Sequence, residues 1–375
     1  MNSSKNVWVE LDLSAFEFNI NQVKKHTNNC DIIAVVKANA YGHGVLDLIP
    51  TLVKNSINKL AVATFEEAIE IREKFINVNI LIFGFTPIEL SNNLWLYNLE
   101  QSVFSYEQAK ELSLLAEKNK KIINIHIKLD TGMGRLGFLS DDESIKQISE
   151  IYSMPFLNVI GIFSHFATSD AEDKTYAYQQ LDNYFYIINK LKEIGIENVG
   201  IKHLSNSGAI LDMKEAHLNC IRPGKILYGF LPSGDVHNKL LLKPILSLKC
   251  KIINLKNLDE GCYVGYNNSF ITKRKSKIAV LPIGYSDGYS RKLSHKTKVL
   301  VNNTTLVPVI ATICMNLLML DVTDIEIINV GDLVTLYGDV ENVKEISIQH
   351  ISKLLETNNY EVLCSINPRL PRICI

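Results

Sequence analysis

Lys37 stands where five apolar residues, Ile32 to Val36, run into a turn rich in Gly and Asn. An ammonium at the end of a buried strand loses hydration, so its pKa should fall, and a desolvated amine is the type that forms Schiff bases with carbonyl compounds. The same position also suits a lysine that snorkels out of a strand end. Tyr41 follows, then Gly42-His43-Gly44, where two residues without a β-carbon let the backbone approach a ligand or take positive φ. Further along, Lys128 and Arg135 lie in the run from His126 to Gly137, which ends a strand in a charged, glycine-rich loop. A planar two-pronged donor such as Arg135 matches a carboxylate, although a tight turn with its arginine in solvent fits the same spacing. His165 falls at another strand end, as a catalytic group or as a hydrogen-bonded packing residue. His203-Leu204-Ser205-Asn206-Ser207-Gly208 joins a strand to a helix start, a natural phosphate seat with Ser207 as donor and Asn206 beside it. Arg222-Pro223-Gly224 reads as a turn after a strand, and Tyr266 as a residue that packs a β-domain.

The elements that must position these groups follow a βα rhythm from Ile32 to about Arg222. Eight apolar runs stand out: Ile32–Val36, Leu60–Ala63, Ile80–Phe83, Ser102–Phe104, Ile122–Leu129, Val159–Ser164, Val199–Leu204 and Leu218–Ile221. Amphipathic stretches such as Thr64–Phe75, Tyr106–Lys118 and Lys174–Ile194 lie between them and predict helices. Eight runs favour a (β/α)8 TIM-like barrel over an open doubly wound sheet, and either architecture puts ligands at the carboxyl ends of the strands. After Ser233 the rhythm changes. The runs Pro244–Leu255, Lys277–Leu281, Thr297–Val301, Thr305–Ile310, Leu317–Val322 and Leu333–Tyr337 predict a mainly antiparallel β-domain, interrupted by a helix over Val343–Leu355. The expected organisation is an N-terminal strand segment, 1–13, that packs on the β-domain, a barrel over 14–235, and the β-domain over 236–375.

Val36-Lys37-Ala38-Asn39-Ala40-Tyr41-Gly42-His43-Gly44 resembles the pyridoxal-phosphate attachment segment of bacterial alanine racemases, and the resemblance continues in separated blocks over nearly the whole chain. It implies that Lys37 carries pyridoxal 5'-phosphate covalently and that the Tyr41 hydroxyl reaches its phosphate, with Ser207, Asn206 and the backbone at Gly224 and Lys225 completing that seat. Arg135 inherits the role of binding the substrate carboxylate. Lys128 matches a lysine that is carbamylated in many members, where the carbamate orients the arginine, and His165 matches a histidine beside the pyridine ring. Arg222 matches the arginine that meets the pyridine nitrogen. Arginine donates there but cannot accept from a pyridinium, so it weakens delocalisation into the ring and disfavours transamination. A racemase needs acid–base groups on both faces of the α-carbon. The resemblance assigns Lys37 to one face and Tyr266 to the other, and because the family's tyrosine comes from a partner subunit it implies a head-to-tail homodimer with shared sites. The block Ile313-Cys314-Met315-Asn316 matches one whose backbone, at Met315, helps hold the substrate carboxylate.

Some positions depart from that pattern: Lys225 where an aliphatic residue is usual, Thr312 for arginine, Asn316 for Asp, and Pro368 where some members place a tyrosine. They surround the pocket that sets side-chain size and bear on substrate identity. The implied function is interconversion of L- and D-alanine, supplying D-alanine for peptidoglycan, with serine or a broader set of small amino acids as the alternative. Decarboxylases of the same fold should face the pyridine nitrogen with an acid, so Arg222 argues against them. A single-barrel, non-catalytic cofactor carrier would lack the β-domain.

Composition is compatible with small-molecule chemistry. Lys+Arg 39 against Asp+Glu 40 leaves a net charge of −1, which gives no electrostatic case for nucleic acid or an anionic membrane. Seven cysteines without short paired spacings indicate neither a zinc site nor a disulfide framework. The stretch MNSSKNVWVELDL has no apolar core of signal-peptide length, and no run approaches the roughly eighteen apolar residues of a membrane span, so a cytosolic protein is expected.

Overall fold

A strand buried on both faces of a parallel sheet needs a nearly unbroken apolar run, and the eight such runs all become strands. The computed structural model describes residues 5–375, so the first four residues of segment 1–13 lie outside the described residues. The chain divides into two compact units. One holds Phe16–Ala38 and Ile49–Leu242; the other holds residues up to Ala15, Asn39–Leu48 and Lys243–Ile375. The first strand, β1 (Val7–Leu11), belongs to the second unit.

In the first unit, β2 (Asp31–Val35), β3 (Lys59–Val62), β4 (Asn79–Ile82), β5 (Glu100–Val103), β6 (Ile123–Lys128), β7 (Leu157–Phe163), β8 (Ile201–His203) and β9 (Cys220–Ile221) pair in parallel as a closed barrel. Closure runs through β2, which pairs with β3 at Ile33↔Lys59 and with β9 at Asp31↔Cys220. The barrel expected from the apolar runs is therefore the fold observed. Ile33, Ala61, Leu81 and Cys220 form one buried cluster, with Phe83 and Ile201 packed against it. Burial of Ile33 and Leu81 contributes about 1.5–3 kcal/mol each. Helices Phe65–Arg72, Tyr106–Asn119 and Thr175–Glu193 fall within three residues of their expected bounds. Thr64 caps the first with Glu67 in a reciprocal capping box, and Ser105 caps the second.

In the second unit, β1 joins a sheet with β10 (Leu246–Lys251), β11 (Asn254–Leu258), β14 (Ser276–Leu281), β15 (Lys298–Val301), β16 (Thr305–Ile310), β17 (Leu318–Asp321), β18 (Leu333–Tyr337) and β19 (Arg372–Cys374); β12 (Tyr263–Val264) and β13 (Phe270–Ile271) form a separate pair. The order across the large sheet is β11-β14-β17-β16-β15-β18-β10-β1-β19, antiparallel except for β1 with β19. The single run expected over Pro244–Leu255 is two strands. Ile252 donates to Asp332 O and Ile253 to Val280 O, so the chain leaves one ladder and enters another between them. The helix expected from Val343 begins only at Ile348, because the Ser347 side chain caps it by accepting from His350 N. A second short helix, Asn359–Cys364, is not foreshadowed by the apolar pattern. Among the described residues no helix is long and apolar enough to cross a membrane.

Immediately after β2 the chain makes a helical turn over Lys37–Tyr41 in which Ala38, Asn39, Ala40 and Tyr41 have φ of 52–54°, in the left-handed region. L-residues there cost about 1–2 kcal/mol each, so other bonds must hold this turn. Asn39 accepts from Val45 N through its side chain and from Gly44 N through its carbonyl. Gly42 continues the turn at φ 82°, and a β-carbon on it would lie 2.2 Å from Leu363 O. Gly42→Ala should lower the unfolding free energy by at least about 1–2 kcal/mol from its φ alone, and urea denaturation should show this; an unchanged midpoint would mean that the turn is free to relax.

Candidate active site

Four separate strand ends of the barrel carry the cations and imidazoles picked out in the sequence. Lys37, half-buried, follows β2 and opens the left-handed turn that Tyr41 closes. Glu67, from the capping box, accepts from Ala38 N at 2.5 Å and from Ala63 N at 2.7 Å, so one carboxylate sets the backbone beside Lys37. Tyr41 packs its ring on Tyr360 within the second unit, centroids 5.1 Å apart. Arg372 of that unit donates to Gly42 O at 2.9 Å and to three carbonyls of the C-terminal loop, Pro368 O among them.

Lys128 ends β6 with its ammonium 5.0 Å from the Phe163 ring centroid and donating to Leu129 O. Burial, then Arg222, pushes its pKa down to about 7. The following loop is folded around Asp130, whose carboxylate accepts from the backbone amides of Gly132, Met133, Gly134 and Arg135 at 2.7–3.0 Å. Burial raises the Asp130 pKa, but those amides outweigh it and hold the acid ionised. The loop closes on its strand through Phe138 N→Lys128 O and Asp130 N→Phe138 O, and presents an exposed Arg135.

Arg222, 3% exposed, has no acidic partner among the described residues. Its guanidinium donates to the carbonyls of Ser164, His203 and Leu204 and to His203 Nδ1 at 3.0 Å, with His165 Nδ1 at 3.4 Å. Burial pushes its pKa down only to about 10, so it stays charged. His165 is the clearest reporter of the field here: burial comes first, then Arg222, Lys128, Arg135 and Lys37 together push its pKa well below the usual imidazole range. Arg222 thus meets this imidazole directly, and Lys128, whose own pKa is about 7, Arg135 and Lys37 add to its field, while the nearby acid Asp130 is occupied by backbone amides. Such a site suits an anionic ligand.

Ser207 opens the helix Ser207–Asp212, and its hydroxyl accepts from Gly224 N at 3.2 Å, bringing the two expected phosphate contacts together. Asn206 is the cap of that helix: its side-chain oxygen accepts from Gly208 N, Ala209 N and Ser169 Oγ. The buried Lys225 turns its ammonium to Pro232 O at 2.9 Å, and burial lowers its pKa. Tyr266 and Met315 are in the second unit, 64% and 55% exposed. Tyr266 begins a short turn after β12, and Thr312 donates from both backbone and side chain to Ser269 Oγ at the end of that turn. Met315 O accepts from Ser286 N and Oγ, and Asn316 donates to the same hydroxyl. The residue pattern alone does not single out Glu67, Asp130 or His203; only the Thr64-x-x-Glu67 capping signature could draw attention to one of them. Among the described residues no group of three or more His, Cys, Asp or Glu is placed to hold a metal ion.

A closed (β/α)8 barrel with a lysine after its first strand and a basic carboxyl-end site, joined to a β-domain, defines a class of two-unit barrel enzymes. The N-terminal domain model of alanine racemase matches residues 11–232 and the C-terminal domain model residues 245–374, and the chain belongs to the alanine racemase family. It is 46% identical to the alanine racemase of Clostridium tetani (strain Massachusetts / E88) over 370 residues, 98% of this chain and 95% of that protein. The structure of alanine racemase from Clostridium difficile 630 superposes with a TM-score of 0.94 at 37% identity, covering 99% of this chain and 96% of that one. The alanine racemase from Bartonella henselae with covalently bound pyridoxal phosphate superposes with a TM-score of 0.84 at 27% identity, covering 99% and 100%.

The lowered proton affinity of Lys128 makes stability depend on pH. Between about pH 7 and 10.5 the unfolded lysine holds its proton while the folded one does not, so the unfolding free energy rises with pH over that window. Lys128→Met should flatten this rise in urea titrations; a slope equal to wild type would show that the amine is not desolvated.

Proposed function

We propose that this chain interconverts L- and D-alanine with pyridoxal 5'-phosphate held on Lys37. The observation that carries the reading is the buried Arg222 guanidinium, held by carbonyls and imidazoles with no acidic partner, at the same barrel end as Lys37 and the Ser207–Gly224 contact, which suits a phosphate and a substrate carboxylate. Within the barrel unit the donor set fits the cofactor: the Lys37 amine for covalent attachment, and the Ser207 hydroxyl, which accepts from the Gly224 amide, for the phosphate, to which the family resemblance adds the Tyr41 hydroxyl. When bound, the cofactor supplies a conjugated sink for the electron pair released at the α-carbon. Arg222 would face its ring nitrogen as a donor only, since a guanidinium has no acceptor. Arg135 would orient the substrate carboxylate, assisted by the backbone at Met315.

Lys37 would move the proton on one face of the α-carbon and the Tyr266 hydroxyl on the other. Tyr266 is exposed in a single chain, which fits its delivery to the site of a second copy, so the working form would be a homodimer with two shared sites. The neutral fraction of the Lys128 amine can add to carbon dioxide, forming an N–C bond and releasing one proton; the carbamate would pair with Arg135. Growth of the intact-protein mass by one carbamate in bicarbonate, absent in Lys128→Met, is the expected sign. We place the enzyme in the cytoplasm, with D-alanine for peptidoglycan as its product.

The direct test is incubation with pyridoxal phosphate and L-alanine in deuterated water. D-alanine carrying α-deuterium is expected; neither D-alanine nor exchange, with serine also inert, would overturn the reading. Lys37→Ala should lose covalent cofactor and all turnover. Tyr266→Phe should keep the cofactor and lose about 100-fold or more in rate. Mixing the two inactive variants should restore activity if the sites are shared, because one site of each mixed dimer is then intact.

A further inference from the structure

Behind Arg222 a line of hydrogen bonds runs through the barrel wall to its opposite end. His203 Nδ1 lies 3.0 Å from Arg222 Nη1, His203 Nε2 lies 2.9 Å from His126 Nδ1, and His126 Nε2 lies 3.1 Å from Glu100 Oε2. Both imidazoles are within 1% of full burial, and Glu100 is the first residue of β5, at the amino-terminal mouth. Space has been made for this line. A β-carbon on Gly161 would fall 2.2 Å from His126 Nδ1, and the Phe163 ring stacks on His203 at 4.7 Å and 7°.

The direction of every bond in the line follows from its ends. A carboxylate only accepts, so His126 donates from Nε2. Its Nδ1 must be bare because a neutral His203 needs its own Nδ1 bare for Arg222, a group that only donates, and so has its hydrogen on the Nε2 that faces His126. The opposite tautomers would set N–H against N–H at Arg222. Glu100 stays ionised and so remains an acceptor. Burial raises its pKa, but the His126 contact and the Asn79 side chain, donating at 2.9 Å, bring it below the usual range. Burial and then Arg222 keep His203 neutral by holding its pKa well below the ordinary value.

We propose that Glu100 is a positioning residue for the reaction, acting through the tautomers of His126 and His203 to hold the guanidinium of Arg222 in place. Residues at the amino-terminal end of a barrel ordinarily serve stability alone, so the test must separate the two roles. The proposal rests on the racemase reading for its kinetic readout and on the protein alone for its spectroscopic one.

The experiment compares holoenzyme labelled with 15N-histidine as wild type, Glu100→Ala, Glu100→Gln and Glu100→Asp. In wild type, His126 and His203 should both show a protonated Nε2 and a bare Nδ1. Glu100→Ala should give mixed tautomers at His203 and a fall in kcat of about tenfold or more with KM nearly unchanged, as loss of an outer orienting partner does. Glu100→Gln, whose amide oxygen can still accept from His126, should recover most of both signals. Glu100→Asp keeps the charge but falls short of His126; it should share the defect, and it stands in if the alanine variant does not fold. The proposal fails if His203 carries its hydrogen on Nδ1 in wild type, or if the variants lower only the melting temperature. Normal tautomers in a wild-type protein that racemises nothing would instead overturn the proposed reaction and leave the hydrogen-bond line standing.

Discussion

The constraint on which the barrel site depends is the burial of the Arg222 guanidinium without an acid. Removing a charged group from water costs several kcal/mol even after relaxation. Three carbonyls and an imidazole nitrogen meet it within 3.0 Å, and hydrogen bonds to charged groups are worth about 1.5–3 kcal/mol apiece. The cation is therefore solvated by strand ends rather than neutralised. Its charge remains available, and it lowers the proton affinity of Lys128, His165 and His203 in turn. Any ligand that neutralises this field gains what a carboxylate in the same place would have taken.

The backbone after Lys37 is the second costly feature. Four consecutive L-residues in the left-handed region carry a strain on the order of 4–8 kcal/mol at the usual cost per residue. The compensation is local and specific: Glu67 holds Ala38 N, Asn39 bonds Val45 N and Gly44 N, His43 Nδ1 bonds Ala40 O at 2.7 Å, and Arg372 bonds Gly42 O. Strain of this kind persists where surrounding contacts over-determine it, and it clusters at functional sites. Here it redirects the chain directly after the lysine, so that Lys37 and Tyr41 stand at the two ends of a single turn.

Both features make positions that look ordinary in sequence decisive. Glu67 is a capping residue on a surface helix, and it also anchors the lysine turn. Asp130 resembles any acid before a glycine-rich loop, and its four amide bonds give the loop one shape from which Arg135 projects. In the second unit, Thr312 and Ser269 brace the turn that carries Tyr266. The departures at Thr312 and Asn316 are thus filled by local hydrogen bonds rather than left as gaps.

The amino-acid order by itself determined the eight barrel strands, because a strand buried on both faces must be apolar along its length, and most of the β-domain, because its strands alternate. It also displayed the lysine segment, since those residues are contiguous. The break at Ile252, the late start of the helix at Ile348 and the left-handed turn depended on which backbone groups found partners, and these partners are distant in the chain. The same holds for the line from Glu100 to Arg222: three of its members come from three different strands, the fourth directly follows another, and they share no local pattern. Lys128, His165 and Arg222 were visible as residue types, but their shifted proton affinities arise only when the barrel closes and removes them from water together.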